Sequence, residues 1–180
     1  MYAEEIESGE QHIQMAETLF EQYLERSEHT FVAELYVASA FYCACKVNGA
    51  GVDPTEVACV GPEIVKRKHL LRRAKQTATT LGLDPSAFFD PSQYVDRYCE
   101  TLELNDDVQD TSYSILEIAK EKAITSGKPP SALAAGAVYA AALCEDEQVN
   151  QNEVSEVSNV STVTIRKRYK ELLEAFNGER

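Results

Sequence analysis

Two short runs of cations carry most of this chain's capacity to hold another molecule. Lys66-Arg67-Lys68-His69-Leu70-Leu71-Arg72-Arg73-Ala74-Lys75 contains six of the seventeen basic residues and no acid, and Arg166-Lys167-Arg168-Tyr169-Lys170 contains four more. The rest of the 180 residues carries seven positive charges against thirty negative, −23, within a formal net charge of −13. An acidic chain is unlike the usual nucleic-acid binder, but net charge is silent on where the cations sit. Acid-free cationic runs suit phosphate oxygens, and an arginine among them suits the edge of a guanine. The plainer reading is a pair of solvated helix faces, or intramolecular partners for acidic runs such as Glu145-Asp146-Glu147.

The second run has the sharper context. Gln151 to Val157, a three-residue turn and a helix from Thr162 to Phe176 form the pattern of a helix-turn-helix. Ser161 suits the N-cap, because its hydroxyl can accept from a free backbone N–H of the first turn. Ile165, Tyr169, Leu172 and Leu173 share one side at helical spacing and are expected on the core. Val163, Arg166, Lys167 and Lys170 share the other. Arginine can bond guanine bidentately, lysines reach phosphates, and an exposed valine can touch a thymine methyl. Water alone gives no reason for a valine between cations.

No arrangement of residues suggests catalysis. His12, His29 and His69 lie far apart, and no Gly-rich phosphate loop occurs. No CxxC or CxxH pair is present; Cys43 and Cys45 sit two apart, about 200° around a helix, and cannot face one ion. They are expected to be core thiols, and neither metal nor cofactor is expected. Five cysteines without a secretory signal suggest a reducing compartment. The longest nearly apolar stretch, Ala132 to Cys144, is thirteen residues, too short for a bilayer. A soluble, cytoplasmic, non-enzymatic protein is expected. Only nine lysines, with Asp and Glu spread through most of the chain, suggest a salt-rich cytoplasm.

The elements that must position these residues are helices. Ile13, Ala16, Leu19, Phe20, Tyr23 and Leu24 mark the first; Phe31 to Val47, apolar nearly all round, marks a buried second. Pro54 to Val60 is short, Gly61-Pro62 a break, and Glu63 to Leu81 a longer basic helix. Gly82 to Pro91 is the expected linker. Ser92 to Leu104, Asp106 to Ile124, and Ser131 to Cys144 follow, the last apolar nearly all round with Pro130 in its first turn. No stretch alternates with period two, so the class is all-α. Eight of the 23 positions from Ala38 to Val60 are identical 97 residues later, among them Tyr42/Tyr139 and Val57/Val154. That is an internal duplication. Beyond Gly61 the identity dissolves.

Ser126-Gly127-Lys128-Pro129-Pro130-Ser131 through Val138-Tyr139-Ala140-Ala141, then Glu153-Val154-Ser155-Glu156-Val157 and Val163-Thr164-Ile165-Arg166-Lys167-Arg168-Tyr169, resemble the core of the transcription initiation factor IIB family, called factor B in archaea. The likeness is weaker over residues 8 to 60. It implies two tandem cyclin-like repeats, 1–89 and 90–180, the second ending in the helix-turn-helix and the first expected to lack its opening helix. It further implies promoter DNA and TATA-binding protein as partners, with RNA polymerase or another transcription factor beyond them. Val163 and Arg166 would read bases. Lys128, Gln151, Lys167 and Lys170 would meet the DNA backbone, as would Lys66, Lys68, Arg72 and Arg73 in the first repeat. Members begin with a zinc ribbon, which this sequence does not show, so a truncated regulator that does not itself recruit polymerase is one expectation. The alternatives are a cyclin-type adaptor that binds no DNA, and a DNA binder acting without TATA-binding protein.

Overall fold

The three- and four-residue apolar spacing is realised as helix throughout. The computed structural model describes residues 10–26, 33–63 and 65–178, and no strand occurs among them. In chain order the helices are α1 (Glu10–Arg26), α2 (Ala33–Val47), α3 (Pro54–Val60), α4 (Arg67–Leu81), α5 (Val95–Thr101), α6 (Asp106–Glu121), α7 (Pro130–Cys144), α8 (Gln151–Ser158) and α9 (Thr162–Asn177). Short 3-10 turns occupy Pro85–Phe88 and Pro91–Tyr94. The all-α class holds. Contacts divide the chain into two compact units, one through Phe88 and one from Phe89.

In the second unit α7 is the axis. Alanine, glycine and valine cover every side of it, so it has no polar face to give to water and takes the centre. Around it pack the second 3-10 turn, α5, α6, α8 and α9. Tyr98, Ile115, Leu133, Ile165 and Leu172 fill the space between them. Local signals set the helix ends. Asn105 caps α6 by accepting from the Val108 N–H at 3.0 Å. Asn150 and Glu153 exchange bonds across the first turn of α8 as a capping box.

The first unit repeats this plan around α2, which packs against α1, α3, α4 and the first 3-10 turn. The duplication seen in the residues recurs in the backbone. Gly49 closes α2 at φ +76° and Ala50 N–H bonds back to Cys45 at 2.8 Å; 97 residues on, Asp146 stands at φ +56° and Glu147 N–H bonds to Ala142 at 2.9 Å. Asp53 then caps α3 through Thr55 N–H at 2.8 Å, as Asn150 caps α8 through Asn152 N–H at 2.9 Å. Residues 1–9 lie outside the described residues, as do Phe31 and Val32, the first two residues of the expected second helix.

Three boundaries differ from the sequence expectation. The basic helix begins at Arg67, not Glu63: Val65 is drawn into the core, its N–H turns back to Pro62 at 2.8 Å, and Lys66 is extended. Ile64 lies outside the described residues. The helix expected from Ser92 to Leu104 is a 3-10 turn opened by Asp90 and Pro91, then α5, stopped where Glu103 takes φ +54°. Helix α6 ends at Glu121, because Ala123 adopts φ +54° and Ile124 N–H bonds back to Ala119 at 3.0 Å, a Schellman-type closure. The linker also contains structure: Phe88, in the first 3-10 turn, packs 6.1 Å from the Tyr42 ring.

Candidate nucleic-acid interface

Helix α9 starts where Ser161 accepts from the Thr164 N–H at 3.3 Å, after Asn159 has reversed the chain at φ +54°. Three residues, Asn159 to Ser161, therefore separate α8 from α9. The inner side of α9 places Ile165, Leu172 and Phe176 in the core, with Tyr169 and Leu173 packed at its edge. Tyr169 meets Tyr139 of α7 edge-on, ring centres 4.9 Å apart. Val163, Arg166, Lys167 and Lys170 all project outward, within about 100° of arc at 100° per residue. Val163 is 74% exposed, the most exposed large apolar side chain among the described residues. No acid falls in that arc until Glu174, after Lys170.

The other expected contacts are placed differently. Lys128, in the loop before α7, donates to Glu171 Oε2 at 2.9 Å, and Arg168 donates to the same oxygen at 2.5 Å. The Lys128 ammonium, with Arg168 beside it, holds the Glu171 carboxyl below its ordinary value. Gln151, the first residue of α8, is half-buried and its amide lies 3.4 Å from the Tyr139 hydroxyl.

In the first unit, burial supplies a register that identity does not. Leu70 and Thr77 are buried on α4 as Ile165 and Leu172 are on α9, an offset of 95 rather than 97. The connection from Gly61 to Lys66, longer than the turn before α9, accounts for the slip. At this offset Lys68, Arg72 and Lys75, all exposed, stand where Val163, Lys167 and Lys170 stand on α9. Lys75 was not among the expected contacts; only the burial register brings it in. Lys66 is exposed ahead of the helix. Arg73 is turned inward, its guanidinium 4.2 Å from the centre of the Tyr36 ring.

The thiols of α2 are core groups. Cys43 and Cys45 are buried within α2, where loss of solvent pushes each thiol up to about 12. Cys43 Sγ donates to the Ala74 carbonyl at 3.6 Å. Among the described residues no group of three or more His, Cys, Asp or Glu is placed to hold a metal, and no helix is long and apolar enough to cross a membrane.

A family model described as the transcription factor TFIIB repeat matches residues 85–175, from the first 3-10 turn to the last turn of α9. The chain belongs to the TFIIB repeat family. Its relatives include transcription initiation factor IIB 4 of Halobacterium salinarum, 45% identical over 137 residues, 76% of this chain and 41% of that protein. Transcription initiation factor IIB 7 of the same organism is 40% identical over 138 residues, 77% of this chain and 42% of the relative. Transcription initiation factor IIB of Archaeoglobus fulgidus is 39% identical over 145 residues, 79% and 43% respectively. The chain thus spans less than half the length of these TFIIB relatives. The match to the TFIIB repeat covers most of the second unit, which contains α7 and α9.

Proposed function

We propose that this chain is a non-catalytic, DNA-binding transcription initiation factor of the IIB type, acting on promoter DNA together with TATA-binding protein. Helices α8 and α9 are the helix-turn-helix, with α9 in the major groove. Val163 contacts a thymine methyl and Arg166 a guanine edge, while Lys167 and Lys170 reach flanking phosphates. The outward side of α4, with Lys66, Lys68, Arg72 and Lys75, serves DNA backbone without base readout. The observation that carries this reading is Val163: a valine 74% exposed among three cations, on a helix whose opposite side is core. Hydration does not favour that composition; a groove edge does.

The test is a gel shift on a TATA-box fragment with purine-rich flanks, with and without TATA-binding protein, at moderate and high salt. A complex that needs TATA-binding protein and weakens by about 1–3 kcal/mol on Arg166→Ala, with relaxed sequence preference, is expected. A folded protein that binds under no condition would instead favour an adaptor that works only through protein contacts.

A further inference from the structure

Glu171 stands beside the acid-free face of α9, one turn beyond Lys167. Its Oε2 receives both Lys128 and Arg168, and the two cationic side chains are 22% and 13% exposed against 34% for the carboxylate. The cations are therefore turned toward the protein and the anion toward the edge of the outward face. Arg168 has little freedom to leave. Its Cβ is pressed against the bare backbone of Gly136 on α7, where an added Cβ would sit 2.6 Å away. Lys128 is different: it reaches Glu171 from a loop, through four methylenes, and solvent at the one-third exposed carboxylate screens the pair. A carboxylate and a phosphate make the same offer to an ammonium, an anionic oxygen at hydrogen-bond distance.

We infer that Glu171 is a positioning residue that competes with DNA phosphate for Lys128, confining the DNA-facing charge of this unit to Arg166, Lys167 and Lys170. The inference rests on the reading of α9 as the DNA-facing helix. Phosphate contacts carry no sequence information, so withholding one lowers affinity for every duplex alike and leaves discrimination to Val163 and Arg166. In a chain whose other cations are few, one lysine more or less on phosphate is a measurable share of the total.

The experiment is a fluorescence-anisotropy titration of the full chain against two labelled duplexes, a TATA-box promoter fragment and the same bases in shuffled order, over a salt series. The proteins are wild type, Glu171→Gln, Lys128→Ala and the double variant, each checked by circular dichroism, with Glu171→Met as a second neutral replacement should the glutamine fail to fold. Glu171→Gln is expected to bind both duplexes roughly three- to tenfold tighter at ~0.1 M salt, and to steepen the slope of log K against log salt by about 0.9, one phosphate contact. Lys128→Ala alone leaves the slope unchanged, and the double variant loses the gain. A gain that persists in the double variant means simple relief of repulsion by Glu171, and overturns the inference. So does a slope that flattens by about 0.9 in Lys128→Ala alone, because Lys128 would then already be on phosphate. An unchanged slope in a folded neutral variant at Glu171 overturns it equally. If wild type binds neither duplex at any salt, the DNA reading of α9 fails first and takes this inference with it.

Discussion

Gly136 and Arg168 are so close that a Cβ built on the glycine would lie 2.6 Å from the arginine Cβ, with Tyr169 N at 3.1 Å and Arg168 C at 3.2 Å. Helix α7 therefore approaches α9 at the one position on its facing side where it has no side chain. The matching position in the first unit is Ser39, whose hydroxyl donates to the Tyr36 carbonyl at 2.8 Å and lies 3.4 Å from Thr77 Oγ1. One unit solves the crossing with an absent side chain, the other with a small one that hydrogen-bonds locally.

Gly136→Ala should destabilise the second unit despite better helix propensity. Alanine in place of glycine favours a helix by about 1 kcal/mol. Here the new methyl meets a Cβ and two backbone atoms, none of which is a flexible side-chain end, and overpacking of that kind costs about 1–3 kcal/mol. A net loss of up to about 2 kcal/mol in urea unfolding is expected. An alanine variant as stable as wild type would show that α9 can slide outward at no cost.

Val163→Glu separates folding from recognition. The side chain is 74% exposed and touches nothing that stabilises the core, so unfolding should shift by no more than about 0.5 kcal/mol. A carboxylate on that face would repel phosphate, and promoter binding should fall by tenfold or more, roughly the range of a lost base contact. Retained binding would remove Val163 from the interface.

Glu171 gives a pH signature. Its carboxyl is held below the ordinary value, first by the Lys128 hydrogen bond and then by Arg168. The folded state therefore binds this proton less readily than the unfolded state does. The ion pairs contribute fully above the ordinary carboxylate range, and that contribution disappears as pH falls through the lower, folded value. Thermal melts of wild type and Glu171→Gln should differ near neutrality and converge in acid. The difference will be small, since the carboxylate is a third exposed. A gap that widens toward acid would contradict the pairing.

Thiol reactivity should follow burial. Loss of solvent pushes Cys43 and Cys45 up to about 12 and Cys99 up to about 11, whereas Cys59 is exposed on α3. At pH 8 an aromatic disulfide reagent should modify Cys59 first, and the three buried thiols only on unfolding. Rapid reaction of Cys43 in the folded chain would mean that α2 opens locally.

Much of the architecture was legible in the residues because helices report themselves locally. The apolar spacing of α1, the all-round apolarity of α2 and α7, and the Ser161 cap all act within a few residues of themselves. The helix ends were less legible. Whether Glu63 to Lys66 continued a helix depended on the core capturing Val65, and that is a contact with distant parts of the chain. The outward set Val163, Arg166, Lys167 and Lys170 followed from periodicity alone, since one buried side of a helix dictates the other.

The sequence by itself determined an all-helical chain, a duplication at an offset of 97, and two acid-free cationic runs on helices, because propensity, capping and repeated residues need no tertiary partner to act. Only the tertiary structure decided which cations remain available. It paired Lys128 and Arg168 with Glu171, laid Arg73 on Tyr36, and left Lys68, Arg72 and Lys75 exposed on α4 at the register positions that Val163, Lys167 and Lys170 occupy on α9. A long charged side chain can reach any of several partners, and the choice is made by which backbones the packed core brings together.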